Sequence, residues 1–260
     1  TTIQNHASGI NIYRYPNANF YSAQYLKKFQ NATDANAEFS GGNKNARFYS
    51  NIGFANSSTL LNVGEGRNEN DNRLNVRGNV DLKLNEHISS SVYVSAIFSE
   101  SRRARGNFWA NAATLLPNRL APLIPISLIP ESSKALLASS RNIIDGKYFL
   151  GGAQQFQTNP IADLYASGYD MNIRRVLQVT NQIDASLNSV VKGLSFHTLF
   201  NLDYSNSYLQ SINNTYAVFA PTWSSTSNSL TGLQKFGEDA RPGIQNINNT
   251  TQRQNIGFSS

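Results

Sequence analysis

The chain contains no cysteine, which excludes a disulfide framework, thiolate metal sites and thiol nucleophiles. It also lacks any run of about twenty consecutive apolar residues, so no transmembrane helix is expected. Charged residues make up only 15%, and the three histidines, His6, His87 and His197, lie far apart in sequence. A catalytic triad or a metal cluster needs His held near acids or other ligands, so no enzyme, metal site or cofactor is expected. The formal charge is +6, yet no basic run is longer than Lys27-Lys28, Arg102-Arg103 or Arg174-Arg175. Scattered cations fit a solvated surface or an anionic lipid collar better than nucleic-acid binding.

What is present is alternation. Leu74, Val76, Gly78, Val80, Leu82 and Leu84 interleave with Asn75, Arg77, Asn79, Asp81, Lys83 and Asn85. After Asn85-Glu86-His87 the pattern resumes, with Ile88, Ser90, Val92, Val94, Ala96 and Phe98 against Ser89, Ser91, Tyr93 and Ser95. A period of two on both sides of a tight turn predicts an antiparallel hairpin with one oily and one wet face. Strands in soluble proteins usually run about five or six residues. At about 3.3 Å per residue and a tilt of about 40–45°, eleven residues rise about 26 Å, the height of the apolar band of an outer-membrane barrel. A mean hydropathy of −0.39 does not oppose this, because barrel strands expose apolar side chains only at alternate positions.

The same pattern recurs. Ala35, Ala37 and Phe39 lead through a Gly-Asn turn at 41–45 into Ala46, Phe48, Ile52 and Phe54. Leu177, Val179, Ile183, Ala185 and Leu187, with Asn181 as the exception, lead through 188–193 into Leu194, Phe196, Thr198, Phe200, Leu202 and Tyr204. Between these hairpins the pattern vanishes, over about 56–72, 100–173 and 206–249. The middle stretch holds five of the eight prolines and a candidate short helix at 131–140. Every second connection is thus short and the others are long, the parity of a transmembrane barrel with short periplasmic turns and longer extracellular loops. The fold class expected is all-β, a transmembrane antiparallel β-barrel segment of about seven strands. The first residues carry neither Met nor a secretory leader, and Ile256-Gly257-Phe258 reads as the start of another strand, so a segment of a longer polypeptide is expected.

Particular phrases resemble a family. Tyr15-Pro16-Asn17, Tyr25-Leu26-Lys27, Phe39-Ser40-Gly41-Gly42-Asn43 and Phe48-Tyr49 are similar to the early barrel of SusC/RagA-like TonB-dependent transporters. So are Arg73-Leu74-Asn75-Val76-Arg77-Gly78-Asn79-Val80-Asp81, Leu116-Pro117-Asn118, Ile124-Pro125-Ile126, Lys192-Gly193-Leu194-Ser195-Phe196 and Phe236-Gly237. The resemblance implies a 22-stranded barrel in the outer membrane of Bacteroidota-type bacteria. It implies import of glycans or peptides, a SusD-like lipoprotein as lid, and energy from TonB acting through an N-terminal plug and TonB box that this chain does not contain. On this reading residues 1–33 belong to an extracellular loop and 34–260 to a partial barrel. A surface adhesin or other structural β-protein, such as a soluble solenoid, is the first alternative, although no fixed repeat is visible. A passive porin-like channel is the second.

Candidate site residues follow from position. Trp109 and Trp223 fall in the long loops, where an indole face could stack on substrate or meet the lid. Arg102, Arg103 and Arg105 follow an outgoing strand and are expected at an outer rim facing lipopolysaccharide phosphates. Arg77, Asp81, Lys83, Gln178, Gln182, Asp184, Asn201 and Asp203 define the expected wet face. Asn68-Glu69-Asn70-Asp71-Asn72 spaces oxygens as a calcium loop would, but lacks the glycine and terminal acid of one, so a solvated turn is expected.

Overall fold

The computed structural model describes residues 1–243 and 251–259. In chain order its strands are β1 (Ala32–Gly42), β2 (Ala46–Ser58), β3 (Asn70–Lys83), β4 (Ile88–Ala104), β5 (Leu123–Pro125), β6 (Tyr148–Leu150), β7 (Gly168–Ser186), β8 (Ser195–Asn213), β9 (Val218–Trp223), β10 (Leu230–Phe236) and β11 (Thr251–Ser259). Seven of them form one antiparallel sheet in the order β1-β2-β3-β4-β7-β8-β11, so neighbours in space follow one another along the chain. β5 pairs with β6, and β9 with β10, in two small sheets. Four short helices, α1 (Thr2–Ser8), α2 (Phe108–Thr114), α3 (Ala135–Ser139) and α4 (Pro160–Ala166), lie outside the large sheet. Among the described residues no helix is long and apolar enough to cross a membrane. The protein is mostly antiparallel β, and its large sheet is open, with β1 and β11 at the edges.

An asparagine organises each of the three tight turns. Asn43 Oδ1 accepts from the amides of Asn45 (2.8 Å) and Ala46 (2.9 Å). Asn85 Oδ1 accepts from those of His87 and Ile88, both at 2.8 Å. Asn188 Oδ1 accepts from Gly193 at 2.8 Å, where Gly193 takes a φ of 83° that a side chain would resist. Side-chain capping of the turn amides leaves the hairpin registers no freedom to slip.

Register sorts the alternating residues cleanly. Directly paired residues share a face. Phe39, Ser50, Gly78, Val94, Val179 and Leu202 form one row across six strands, and Gly41, Phe48, Val80, Val92, Asn181 and Phe200 form the next. Asn181, the exception in sequence, donates to Ser90 Oγ on the neighbouring strand, which removes part of its polar cost on that face. The row of Phe54, Leu74, Phe98 and Arg175 ends the apolar band. Above it the pairing continues through Asn56, Asn72, Glu100 and Ile173.

The strands therefore outrun the alternation. β4 extends to Ala104, β7 begins at Gly168, and β8 extends to Asn213, so the expected long loop at about 100–173 narrows to 105–167, and the one expected at about 206–249 begins at 214. On β3 and β4 the apolar face turns polar at Asn72 and Glu100 while backbone pairing persists, and on β7 Arg175 interrupts an alternation that Ile173, Met171 and Tyr169 carry on. β1 likewise starts at Ala32, two residues before the expected boundary. The expected helix at 131–140 is a 3-10 turn (Glu131–Ser133) followed by α3.

The hydrophobic core sits in the loops. Phe20, Tyr25, Leu61, Phe108, Ile161 and Leu164 pack together in one cluster, and Ile124, Phe149, Ala217 and Phe219 in a second. The Phe149 and Phe219 rings lie 4.4 Å apart. None of the buried hydrophobic side chains comes from residues 35–54, 74–98 or 177–200. There, Phe39, Phe48, Phe54, Leu74, Phe98 and Phe196 are 38–56% exposed, all on the same face. The loops cover themselves and leave the sheet's apolar face bare.

Candidate functional site

The polar face of the sheet comes first, because it positions everything above it. Glu38, Asn51, Arg77, Ser95, Gln178 and Asp203 form one row across six strands. The wet-face residues expected from sequence all share this side. Ladder hydrogen bonds knit it: Asn51 Nδ2 and Tyr49 Oη donate to Glu38 (3.2 and 3.1 Å), Ser91 Oγ to Asp81 (2.7 Å), and Thr180 Oγ1 to Asn201 (2.8 Å). At the turn end, this face bounds an open concavity of about 620 Å³ that includes Arg47, Asp81, Lys83, Asp184 and His197. His197 Nδ1 lies 2.6 Å from Asp184 Oδ1, and Gln182 Nε2 donates to the other carboxylate oxygen at 3.0 Å.

At the opposite end the expected arginines are already partnered. Arg102 Nη2 bonds Glu65 at 2.7 Å, and its guanidinium lies 3.6 Å from the centre of the Tyr169 ring. Arg103 bonds Asp71 at 2.5 Å and the Asn70 carbonyl at 3.0 Å. Arg105 Nη1 donates to Asp170 (2.7 Å) and to the fully buried Ser211 hydroxyl (2.8 Å). Asp71 and Asp170 lie on the polar face, so Arg103 and Arg105 point their charge to that side and not to the apolar face. Arg102 alone keeps the register of the apolar face, and its charge is committed to Glu65. These three residues brace the loops against the strand ends.

Arg103 nonetheless lines a site. A polar concavity of about 290 Å³ opens between the ends of β2 and β3 and helix α2, walled by Gln30, Glu69, Asn70, Asp71, Arg103 and Trp109. Asn107 caps α2 by accepting from the Ala110 amide at 3.1 Å, which fixes where Trp109 points. Trp109 is 42% exposed, stacks on Tyr21 with centroids 6.5 Å apart, and meets Phe108 edge-on at 5.1 Å. Glu69 accepts from the Ala104 amide (3.0 Å), and burial raises its carboxyl above the usual glutamate range. An indole face beside paired acids, a guanidinium and amides suits a ligand with both apolar ring faces and hydroxyl or amide groups. The stretch 68–72 is thus the end of a 3-10 turn and the start of β3, with Glu69 and Asp71 directed into this site. Trp223 is elsewhere: it pairs with Leu230 and packs against the Ile124–Phe149 cluster. Sequence reasoning missed Glu69 and Tyr21 as partners of Trp109; only their approach in space joins them.

A buried acid holds the loops together. Asp163 on α4 is 7% exposed, and accepts from Tyr216 Oη (2.7 Å) and Asn111 Nδ2 (3.2 Å), tying α4 to α2 and to the start of β9. Burial outweighs these hydrogen bonds and raises its pKa. An acid whose folded pKa is raised stabilises most below its ordinary value of 3.8, and loses that contribution as pH rises through the folded value. Hydrogen-exchange protection of the α4 amides, corrected for intrinsic rates, should therefore fall from pH 4 towards pH 7. Asp163→Asn should flatten that trend; an unchanged slope would place the titration elsewhere.

No protein-family model matches the chain, and no curated protein matches it.

Proposed function

We propose that this chain is part of the wall and outer mouth of a TonB-dependent outer-membrane transporter of the SusC/RagA type. It imports glycans or peptides together with a SusD-like surface lipoprotein. The observation that carries the reading is the bare apolar face, which spans six paired strands while the loops fold around cores of their own. A soluble sheet buries such a face under a second layer. A barrel wall turns it to lipid, and the band height of about 26 Å matches the apolar thickness of an outer membrane. Further strands joined at β1 and β11 close the barrel, 22 in all by the family resemblance. Residues 1–31, 105–167 and 214–243 form the extracellular mouth. The polar rows face the lumen and the plug, with TonB acting through that plug. The resemblance, not the geometry, carries the lid and the energy source.

The test is uptake by cells that carry the native polypeptide. Uptake of the natural ligand should depend on TonB, and Trp109→Ala should reduce ligand affinity about tenfold, or about 1.4 kcal/mol, at unchanged outer-membrane abundance. TonB-independent uptake would instead support a passive channel. Absence from the outer membrane would remove the reading altogether.

A further inference from the structure

A second cavity lies apart from the Trp109 site. About 380 Å³ of space separates the N-terminal segment from the arm around residues 121–148. Its walls are held in place: the Ala18 amide donates to the Pro117 carbonyl (2.9 Å), and Arg14 Nη1 donates to the Ser227 carbonyl (2.6 Å). Three phenols, Tyr13, Tyr25 and Tyr148, line it together with Asn17, Asn19 and Gln24; the rest of the lining is aliphatic or small. No Asp, Glu, Lys, Arg or His lines it. Tyr25 is 93% buried, its side chain packed with Phe20 and Leu61. Among the described residues none hydrogen-bonds the hydroxyls of Tyr13, Tyr25 or Tyr148. None of these hydroxyls is among the buried side-chain atoms left without a partner, so each reaches open space, where a bound group can pair with it. Burial beside the other phenols pushes the Tyr25 hydroxyl up to about 12, so it remains a neutral donor at any physiological pH.

We infer that this cavity is a subsite for a neutral saccharide, whose hydroxyls pair with the phenols and amides and whose ring faces pack on the tyrosine rings. The chemistry of the lining selects the class. A phosphorylated or uronic ligand would lose its hydration with no counter-charge to replace it. An extended peptide binds best by adding a strand to a sheet edge; the 12–25 wall is built of turns, and the opposite wall offers only the three-residue strands β5 and β6. A sugar needs alternating donors and acceptors around a flat apolar face, and phenols and side-chain amides supply both. The inference rests on the transporter reading, naming neutral glycan as the substrate class.

The test is calorimetric titration of the native polypeptide in detergent. The probes are neutral tetrasaccharides from α-glucan, β-glucan, xylan and mannan, with tetragalacturonate and tetra-alanine for comparison. At least one neutral tetrasaccharide should bind, and Tyr25→Phe and Tyr148→Phe should each weaken it several-fold, and Tyr13→Ala at least tenfold. Tyr25→Phe keeps the ring in the core, so a folded variant is retained. Preference for the acid or the peptide, no binding to any probe, or affinities indifferent to all three substitutions would overturn the inference. Loss of the subsite with TonB-dependent uptake intact would leave the transporter reading standing. Absence of the polypeptide from the outer membrane would remove that reading, whatever the titrations gave.

Discussion

Lysine in place of Val179 should destabilise the membrane-inserted protein by about 2–4 kcal/mol, while lysine in place of the adjacent Gln178 should leave it near native. The two residues differ by one position in β7 and by the whole environment of their side chains. Val179 sits mid-band between Val94 and Leu202 on the apolar face. Gln178 sits between Ser95 and Asp203 on the polar face, where an ammonium meets a carboxylate across the strand. The cost at 179 is the transfer of a charge towards hydrocarbon, so it falls with distance from the middle of the band. Urea unfolding of the native polypeptide in liposomes reads the difference directly. Equal effects at the two positions would mean that both faces meet water.

Removing the Asn159 side chain should cost about 2–3 kcal/mol in the loop cap and leave the sheet unaffected. Asn159 is 2% exposed and caps α4, accepting from the amides of Ile161 (2.9 Å) and Ala162 (2.7 Å). Its Nδ2 donates to the Gly151 carbonyl at 2.6 Å, and so ties the helix to the segment that follows β6. Asn159→Ala leaves those groups buried without their side-chain partner. Asn159→Asp keeps the two acceptor contacts but sets a carboxylate against the Gly151 carbonyl, and should be worse than a cap substitution alone. Limited proteolysis within 105–167 measures both: cleavage should accelerate in each variant while the large sheet stays resistant.

The large sheet was legible in the sequence and the cap was not, for a physical reason. A sheet with one apolar and one polar face writes its geometry as period two, so the hairpin that pairs Val80 with Val92 was legible in the sequence. On β3 and β4 the apolar face turns polar at Asn72 and Glu100 and the signal ends, whereas on β7 only Arg175 interrupts an alternation that Ile173, Met171 and Tyr169 carry on. The cap is fixed by contacts between residues distant in sequence, such as Asp163 with Asn111 and Tyr216, which no local pattern announces. The site shows the same division. Trp109 stood out by residue type alone, whereas Glu69 and Tyr21 joined it only through the fold. The arginines at 102, 103 and 105 were marked by their charge, whereas their partners Glu65, Asp71 and Asp170 were joined to them only through the fold.

This chain contributes no cysteine, so a single introduced one carries a unique spin label once any cysteine elsewhere in the native polypeptide is replaced by serine. The most direct measurement scans labels along residues 92–97 of β4 in the native polypeptide, reconstituted in liposomes, and compares collisions with oxygen and with a water-soluble nickel chelate. Labels at Val92, Val94 and Ala96 should favour oxygen, and those at Tyr93, Ser95 and Ile97 the chelate, in strict alternation. Uniform access to the chelate, or protection from both reagents at 92, 94 and 96, would mean that this face is not turned to lipid and would contradict the barrel-wall reading.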